Sequence, residues 1–318
     1  MKNLGSDKQM MIEDPFSDSC IAELSDLASR GDLDSQFTLG FHYYLRGYEN
    51  KTNYIKAIKW LTMASINDKV EAPYYLGNIY KDGLGIEQDL SKAIECYELS
   101  ARHGSEDSQY TLGCLYYEGK YIQKDYGKAV SWFQLAADQN NTNAQYLLGV
   151  IYFYGLGMAV DFEKAFYLFK KASDEENLNA QYYLGIMYYK GIFIKQNYNE
   201  ALKLLTNPAE NNFLHALSIV ALNFINGQNV KCDHKKAFRL LKNNENNLNG
   251  YCQYLYGFCF YKGYGVERNP LAAVKWFNLS VDNGEKCSYL ILGQIYASGD
   301  GVPIDFIEAI KWYKLASE

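Results

Sequence analysis

The chain has 318 residues, of which 48% are hydrophobic and 21% charged, so it can bury a large core and is not a disordered polymer. Its formal charge of −6 argues against binding to nucleic-acid phosphates, which requires a concentrated basic surface. We therefore expect no nucleic-acid partner.

The first 35 residues are acidic, with a net charge of −5. They contain no signal peptide and the chain has no membrane-spanning apolar run, so we expect a cytoplasmic protein, although export without such a signal leaves no trace in a sequence. Residues 1–18 are predicted to be a flexible N-terminus. Residues 19–31 align with the second helix of the repeat described next, with Leu24 at the place of Trp60, and residues 19–35 are predicted to form an N-terminal capping helix.

A glycine recurs at intervals of 36 residues through the rest of the chain, usually after Leu and three residues before an aromatic residue. It is found as Gly40, Gly77, Gly113, Gly149, Gly185, Gly257 and Gly293, with Ala221 in the remaining place. On a helix, this spacing places the Leu and the aromatic residue on one stripe. Because glycine inside a helix costs about 1 kcal/mol relative to alanine, its recurrence predicts the close approach of a second helix.

A turn and a second helix follow each of these glycines. The turns are marked by Gly83, Gly119, Gly155, Gly191, Gly227, Gly263 and Gly299. The predicted helix caps are Asn53, Asp89, Asp125, Asp161, Asn197, Asp233, Asn269 and Asp305. Four residues after each cap comes an alanine and then a bulky pair, such as Trp132-Phe133 or Trp276-Phe277. Loss of Trp132 or Trp276 is predicted to cost roughly 3–5 kcal/mol if each is fully buried.

The stretch AQYLLGVIYFYGLGMAVDFEKAFYLFKKAS, residues 144–173, resembles the Sel-1-like repeat family, a relative of the tetratricopeptide solenoids. The resemblance covers about residues 36–318 in eight copies. It implies an all-α fold, a right-handed α/α superhelix or solenoid of about eight 36-residue helix-turn-helix repeats in one domain. It also implies a scaffold, adaptor or signalling role or, in bacteria, contact with host or rival proteins.

Repeats five and six, about residues 200–250, depart from this pattern. Pro208 is expected to shorten the second helix of repeat five, Val220-Ala221 replaces Leu-Gly in repeat six, and an Asn-rich stretch follows at 242–250. We expect the coupling between repeats to be weakest there. The sequence given stops within a second helix, so we also expect an open packing face that could support a homodimer.

The first helix of each pair lines the inner groove in tetratricopeptide-like stacks, and here it carries two rows of aromatic residues. Two residues before the Leu are Tyr74, Tyr110, Tyr146, Tyr182 and Tyr254, while five residues after it are Tyr44, Tyr117, Phe153, Tyr189 and Tyr261. The first row matches the family pattern, so it is equally consistent with packing and with contact. The second row departs from the small or polar residues of the family, which favours ligand contact.

Charge on the same face is uneven. Acidic residues lie in repeats two and three, namely Glu71, Asp82, Asp107 and Glu118, while Lys190 and Lys262 lie in repeats five and seven. These acids predict a partner with a basic segment, and a solvated rim is the alternative interpretation.

Candidate catalytic groups are sparse. The four histidines and seven cysteines lack metal-ligand spacing, and the Gly-x-Gly turns lack the Gly-Lys-Ser/Thr ending of a phosphate-binding loop. We expect free thiols, no metal, no cofactor and no catalytic residue. The sequence thus predicts a non-catalytic scaffold or adaptor that binds a partner protein or peptide in an aromatic groove.

Two alternatives remain open. One is a bacterial secreted effector or a toxin-immunity protein, which would also act by protein binding. The other is a β-lactamase-like enzyme, because cysteine-rich relatives have been linked to β-lactam binding or hydrolysis. This chain lacks their regular cysteine pairs.

Overall fold

The computed structural model describes residues 17–227 and 230–317, and within them every regular element is helical. The first nine α-helices are α1 Asp18–Ser29, α2 Leu33–Leu45, α3 Thr52–Ile66, α4 Ala72–Asp82, α5 Leu90–Arg102, α6 Glu106–Glu118, α7 Tyr126–Asp138, α8 Thr142–Tyr154 and α9 Phe162–Asp174. The remaining eight are α10 Leu178–Lys190, α11 Tyr198–Glu210, α12 Leu214–Asn226, α13 His234–Asn243, α14 Gly250–Lys262, α15 Pro270–Asp282, α16 Cys287–Ser298 and α17 Phe306–Ser317. The predicted all-α repeat fold is confirmed.

The chain comprises two compact units, residues 1–144 and 145–318, and the boundary falls within α8. In the first unit, α2 pairs with α3, α4 with α5, and α6 with α7. In the second, α10 pairs with α11, α12 with α13, α14 with α15, and α16 with α17. Each unit is thus a stack of helical hairpins, whose first helices we call A helices and whose second helices we call B helices. The prediction of one domain stays a prediction.

The N-terminal helix α1 occupies the place of a B helix ahead of the first hairpin. It packs against α2, where Ala28, Leu39 and Trp60 form a small buried cluster. The Gln36 side chain donates a hydrogen bond of 3.1 Å to the Ala28 carbonyl. Helix α1 ends at Ser29 and α2 begins at Leu33, so the predicted range 19–35 includes the start of α2. Most of the predicted flexible segment, residues 1–16, lies outside the described residues.

In seven of the eight hairpins, the recurring glycine of the A helix is in tight contact with one bulky side chain of the B helix. A Cβ atom added at Gly113 would lie 2.5 Å from the ring of Phe133, and one added at Gly77 would lie 2.5 Å from the ring of Tyr97. We call each such glycine, with the B-helix side chain packed on it, a glycine seat. The other seats pair Gly40 with Leu61, Gly149 with Phe169, Gly185 with Leu205, Gly257 with Phe277 and Gly293 with Tyr313. The predicted gain that offsets the helical glycine is therefore confirmed as the seating of one bulky B-helix side chain.

In the pairs Trp132-Phe133 and Trp276-Phe277 the buried member is the second residue, whereas in the last repeat Trp312 is buried and Tyr313 is 38% exposed. Phe133 and Phe277 are completely buried, whereas Trp132 and Trp276 are partly exposed. The stability cost predicted for losing Trp132 or Trp276 assumed that these side chains are fully buried, and they are not. Each tryptophan lies about 100° around the B helix from the residue that contacts the glycine. The large truncation cost belongs instead to Phe133 and Phe277.

Seven of the eight predicted caps close the first turn of a B helix. Asp89, for example, accepts a hydrogen bond of 3.0 Å from the Lys92 backbone N–H. The same contact is made by Asp125, Asp161, Asn197, Asp233, Asn269 and Asp305. The prediction for Asn53 is wrong, since Asn53 lies inside α3 and its side chain donates to the Arg46 carbonyl. The Asn50 side chain instead accepts from the Thr52 N–H.

The expected shortening of α11 by Pro208 is also wrong. Helix α11 runs to Glu210 and has 13 residues, like α9 and α10. The missing proline N–H removes one hydrogen bond close to the helix end, and both Pro208 and Ala209 are buried. Burial of this last turn outweighs the local cost.

The packing of repeats five to seven does not measure the strength of coupling between repeats, so the prediction of weak coupling stays a prediction. One continuous buried cluster extends from Ile186 on α10 to Cys259 on α14. Within the Asn-rich stretch, buried Asn244 donates a hydrogen bond of 3.4 Å to the Ala209 carbonyl, and Glu245 accepts one from Tyr256. The departures from the repeat pattern are compensated by new contacts.

The glycine seat makes a specific prediction in the first unit. Gly113→Ala should lower the free energy of unfolding by about 1–3 kcal/mol, because the new methyl group displaces the buried Phe133 ring. Gly127→Ala is the matched control, since Gly127 is exposed and its added Cβ meets only the Asp125 side chain at 3.3 Å. That control should leave stability unchanged or raise it by up to about 1 kcal/mol. Urea denaturation followed by circular dichroism measures both, and equal effects would contradict the seat.

Candidate interaction surface

All ten predicted aromatic residues lie on A helices and are partly exposed. In the first unit, Tyr44 is on α2, Tyr74 on α4, and Tyr110 and Tyr117 on α6. In the second, Tyr146 and Phe153 are on α8, Tyr182 and Tyr189 on α10, and Tyr254 and Tyr261 on α14. Each unit therefore presents its own set of half-exposed rings, and their role in partner contact stays a prediction.

Rings of the two rows bracket the seated B-helix side chain of their own hairpin. The centroids of Tyr110 and Tyr117 lie 6.0 and 6.3 Å from that of Phe133. Tyr146 and Phe153 bracket Phe169 at 6.4 and 6.1 Å, and Tyr254 and Tyr261 bracket Phe277 at 6.0 and 6.3 Å. Residues seven apart lie on one face of a helix, so in these three hairpins the members of both rows pack against the seated ring. The second row thus has a packing role that the sequence did not reveal.

The first unit contains an aromatic cluster centred on Tyr75, which the sequence did not single out. The Tyr75 ring lies 4.9 Å from Phe41, 5.3 Å from Tyr44 and 5.3 Å from Tyr74. Phe37 completes what we call the N-terminal aromatic cluster, at 5.9 Å from Tyr75. The cluster joins α2 to α4, so two of the predicted contact residues share one surface across neighbouring hairpins.

The second unit contains a similar centre at Tyr183, also missed from sequence. Its ring stacks on Phe169 at 5.0 Å and lies 5.6 Å from Phe153, 6.0 Å from Tyr146 and 5.3 Å from Tyr182. Tyr75 and Tyr183 both stand directly before the repeat Leu, a place held by Thr, Leu or Ile in the other six repeats. A tyrosine at this one position was the available signal.

The acidic residues lie beside the rings of the first unit. Glu71, Asp82, Asp107 and Glu118 are all exposed. Burial raises the pKa of Tyr75, and the neighbouring Tyr74 phenol and the Asp107 and Glu71 carboxylates raise it further. Asp82 forms an ion pair of 3.6 Å with Lys81. This face therefore combines half-exposed aromatic rings with negative charge.

Two predicted contact residues of the second unit are partly covered by neighbours. The Lys262 ammonium lies 4.9 Å from the centre of the Tyr261 ring, and the Arg268 guanidinium lies 5.7 Å from it. The Tyr189 ring packs 5.3 Å from Tyr198. Tyr117 and Phe153 are covered in a similar way, by Tyr126 at 5.8 Å and by Phe162 at 5.4 Å, so no ring of the second row is free of packing contacts in these hairpins.

The ionisable groups of this surface suit hydrogen bonding and not nucleophilic chemistry. Burial raises the pKa of Tyr44 and of Tyr254 to about 12, so both phenols stay protonated at neutral pH. Burial also raises the pKa of Cys96 and Cys114 to about 11, which leaves little reactive thiolate. Within residues 17–227 and 230–317, no group of three or more His, Cys, Asp or Glu side chains could hold a metal ion.

Sequence comparison matches the repeat pattern to one family. The Sel1 repeat model matches residues 33–68, 70–105, 106–141, 142–177, 178–211, 215–242, 250–285 and 288–318. The chain belongs to the Sel1 repeat family. Sel1 repeat proteins are generally non-catalytic scaffolds that mediate protein–protein interaction. No curated protein sequence matches this Sel1 repeat protein.

Two solved structures are similar over most of the chain. One is c5321 of uropathogenic Escherichia coli strains, a protective antigen with an SLR fold, at 27% identity and a TM-score of 0.82. The match covers 93% of this chain but only 64% of c5321, so the chain spans about two thirds of that protein. The other is a Sel1 repeat protein from Oxalobacter formigenes, at 27% identity and a TM-score of 0.67, with 95% and 88% of the two chains covered.

Among the described helices, none combines the length and the apolar character needed to cross a membrane. The predicted cytoplasmic location stays a prediction.

The pKa of His215, which contacts Tyr182 in the second unit, can be measured and reports on the charges around it. The Tyr182 hydroxyl lies 2.6 Å from His215 Nδ1, and burial followed by the nearby Lys190 charge lowers the His215 pKa below 6.5. Because the folded state takes up this proton less readily than the unfolded state, stability is lost as pH falls through about 6.5 toward the lowered value. Lys190→Gln should raise the His215 pKa and weaken this loss.

An NMR titration of the His215 ring protons measures the change directly. Lys195→Gln is the control, because Lys195 is not among the groups that act on His215. An unchanged His215 pKa in Lys190→Gln, or an equal shift in both variants, would contradict the assigned cause.

Proposed function

We propose that this Sel1 repeat protein is a non-catalytic scaffold whose A helices bind a partner protein or peptide, with the contact in the first unit made to a basic segment. The half-exposed rings of Tyr44, Tyr74, Tyr110 and Tyr117 supply apolar contact area. The exposed carboxylates of Glu71, Asp82, Asp107 and Glu118 supply the charge that attracts lysine or arginine.

The observation that carries this proposal is the position of Glu71 and Asp107 close to Tyr75 of the N-terminal aromatic cluster, with Asp82 and Glu118 exposed at the ends of the same two A helices, α4 and α6. Packing accounts for the aromatic rows, since they support the seated B-helix rings, but it does not account for exposed carboxylates next to half-exposed rings. A tyrosine ring with a negative charge beside it binds a cationic side chain through its face and its electrostatic field together. A basic segment of a partner protein satisfies both features.

Charge reversal on the A helices tests the proposal more cleanly than alanine substitution of the rings, which would also loosen the glycine seats. Glu71→Lys/Glu118→Lys should reduce partner recovery at least ten-fold in affinity capture from the native cell, measured by quantitative mass spectrometry. Glu95→Lys/Asp138→Lys is the matched control, because these exposed acids lie on the B helices α5 and α7 and the change in net charge is identical.

The control should retain the partners that the wild-type protein captures. Equal retention by the A-helix variant, or equal loss from both variants, would contradict the proposal. Circular dichroism of both variants at the same concentration confirms that helix content is unchanged.

The second proposed contact joins two copies of the chain through α17. Phe306, Ile307 and Ile310 are 65%, 83% and 54% exposed, whereas Val274, the equivalent of Ile310 one repeat earlier, is only 6% exposed. In an antiparallel pair of α17 helices, Glu308 in the first turn of each copy meets Lys314 in the last turn of the other. A self-complementary surface of this kind closes as a symmetric dimer.

Light scattering coupled to size-exclusion chromatography tests this contact. The wild-type protein should elute as a dimer, and Ile307→Lys/Ile310→Lys should elute as a monomer with unchanged helix content. The B-helix control Glu95→Lys/Asp138→Lys should remain dimeric. A monomeric wild-type protein at high concentration would exclude the α17 contact.

A bacterial protein that meets a host is a second candidate function, and the similarity to c5321, a protective antigen, favours it. Detection of the protein outside the cell in culture, against a cytoplasmic marker, tests that candidate. The immunity-protein and β-lactamase-like alternatives stay predictions, and nitrocefin turnover above a heat-inactivated control would support the enzyme.

A further inference from the structure

The second glycine of the Gly-x-Gly turn has a defined structural task in these repeats. Gly85, Gly265 and Gly301 have φ angles of 70°, 74° and 81°, a conformation that costs other residues free energy. A Cβ atom added at Gly85 would lie 2.7 Å from the Lys51 carbonyl oxygen, and one added at Gly265 would lie 2.3 Å from the His234 carbonyl oxygen. The glycine thus lets the turn touch the start of the preceding B helix.

Repeat five places Phe193 at this position. Its φ angle is 66°, so a bulky side chain holds the left-handed conformation that glycine adopts elsewhere. The Phe193 ring is 48% exposed and lies 5.7 Å from Phe166 and 6.4 Å from Tyr167. The backbone strain at Phe193 is therefore retained for a ring that remains half in solvent.

Tyr167 on α9 is a second departure from the repeat. The equivalent residues are Lys59, Glu95, Ser131, Lys203, Arg239, Lys275 and Lys311, all of them charged or polar. Tyr167 is 59% exposed, so this position faces solvent as the polar residues of the other repeats imply. The hairpin does not require an aromatic residue here.

These two departures occur in neighbouring repeats and meet at one place on the second unit. We call Phe166, Tyr167 and Phe193 the outer aromatic patch, because it lies on the B helix α9 and the turn after α10. Neither Phe193 nor Tyr167 fills a position that folding demands. Exposed aromatic rings at positions that the fold leaves to polar residues or glycine, one of them with a strained backbone, are typical of a contact surface.

The charges around the outer aromatic patch define its partner. Along α9, Glu163 lies one turn before Tyr167, while Lys170 and Lys171 lie one turn after it. Lys195 follows two residues after Phe193. All three lysines are exposed, and none forms an ion pair within the described part of the chain. Within one turn of Tyr167 and two residues of Phe193, the other charges are Glu163 and the Lys164–Asp161 ion pair, so this part of the rim is basic and attracts carboxylates. Asp174 and Glu200 lie beyond it, on the far side of Lys170.

We propose that the outer aromatic patch binds a segment of a partner protein in which a bulky apolar side chain is next to Asp or Glu. The apolar side chain packs on the rings of Phe193 and Tyr167, and the carboxylate pairs with Lys170 or Lys171. This surface is separate from the A-helix surface of the first unit and selects the opposite charge. It adds a third proposed contact to those of the A helices and of α17.

Selection from a phage-displayed library of random peptides tests the proposal. The wild-type chain serves as the target, and the double variant Phe193→Gly/Tyr167→Lys serves for counter-selection. Both substitutions introduce residues that other repeats carry at the same positions, so the fold is expected to be retained. The enriched peptides should place Phe, Trp, Leu or Ile beside Asp or Glu.

Binding of one enriched synthetic peptide then measures each contribution. Either single substitution, Phe193→Gly or Tyr167→Lys, should raise the dissociation constant of the peptide at least ten-fold. The double substitution Lys170→Glu/Lys171→Glu should raise it several-fold. The A-helix variant Glu71→Lys/Glu118→Lys should bind the same peptide unchanged, which separates this contact from the proposed function above.

Three results would overturn the proposal. The library could yield no peptide that distinguishes wild type from the double variant, or it could enrich basic peptides. Alternatively, Phe193→Gly could lower the thermal midpoint, in which case the ring serves the fold. The expected midpoint of Phe193→Gly is equal to or higher than that of the wild type, because the substitution relieves the strained φ angle.

Discussion

The structure of each unit depends on one contact, the bulky B-helix side chain that sits on an A-helix glycine. At Gly113 the space for even a methyl group is taken by the Phe133 ring, and the same holds at Gly77 beneath Tyr97. The helices of the hairpin can approach this closely only because the glycine has no side chain. At Gly77, Gly113, Gly149 and Gly257, the free energy lost to a glycine in mid-helix is recovered by the complete burial of one large ring.

This contact also decides how the aromatic rows should be understood. A ring seated at the glycine is flanked along the A helix by the residues one turn before and one turn after that glycine. Tyr110 and Tyr117 fill these two places around Phe133, and Tyr146 and Phe153 fill them around Phe169. The rows are thus a consequence of the seat, and partner contact has to use the edges of rings that already support the fold. Charge is therefore the better guide to function, which is why the exposed carboxylates carry the proposal for the first unit.

Features that recur in every repeat could be predicted from the sequence, whereas features found in a single repeat were predicted wrongly or missed. The glycine seats, the turn glycines and seven of eight caps follow from spacing, because each copy meets the same demand. Pro208 was misjudged because a local helix rule ignored the burial of the last turn of α11. Trp132 was ranked above Phe133 by size, although the direction of the side chain toward the glycine decides which residue is buried. Tyr75 and Tyr183 could not be found from the common repeat pattern, because each is an exception to that pattern at its position.

A repeat protein offers its own control for separating fold from function. A position that serves the hairpin alone should be filled in the same way in every copy, since the packing problem is the same. Lys, Glu, Ser and Arg at the seven equivalents of Tyr167 show that the hairpin asks only for a residue that tolerates water. The glycines at 85, 265 and 301 show what the turn asks for at Phe193. Tyr167 and Phe193 depart from these requirements in two neighbouring repeats, and their rings pack against each other. A function outside the hairpin, such as partner binding, explains both departures more simply than two unrelated substitutions do.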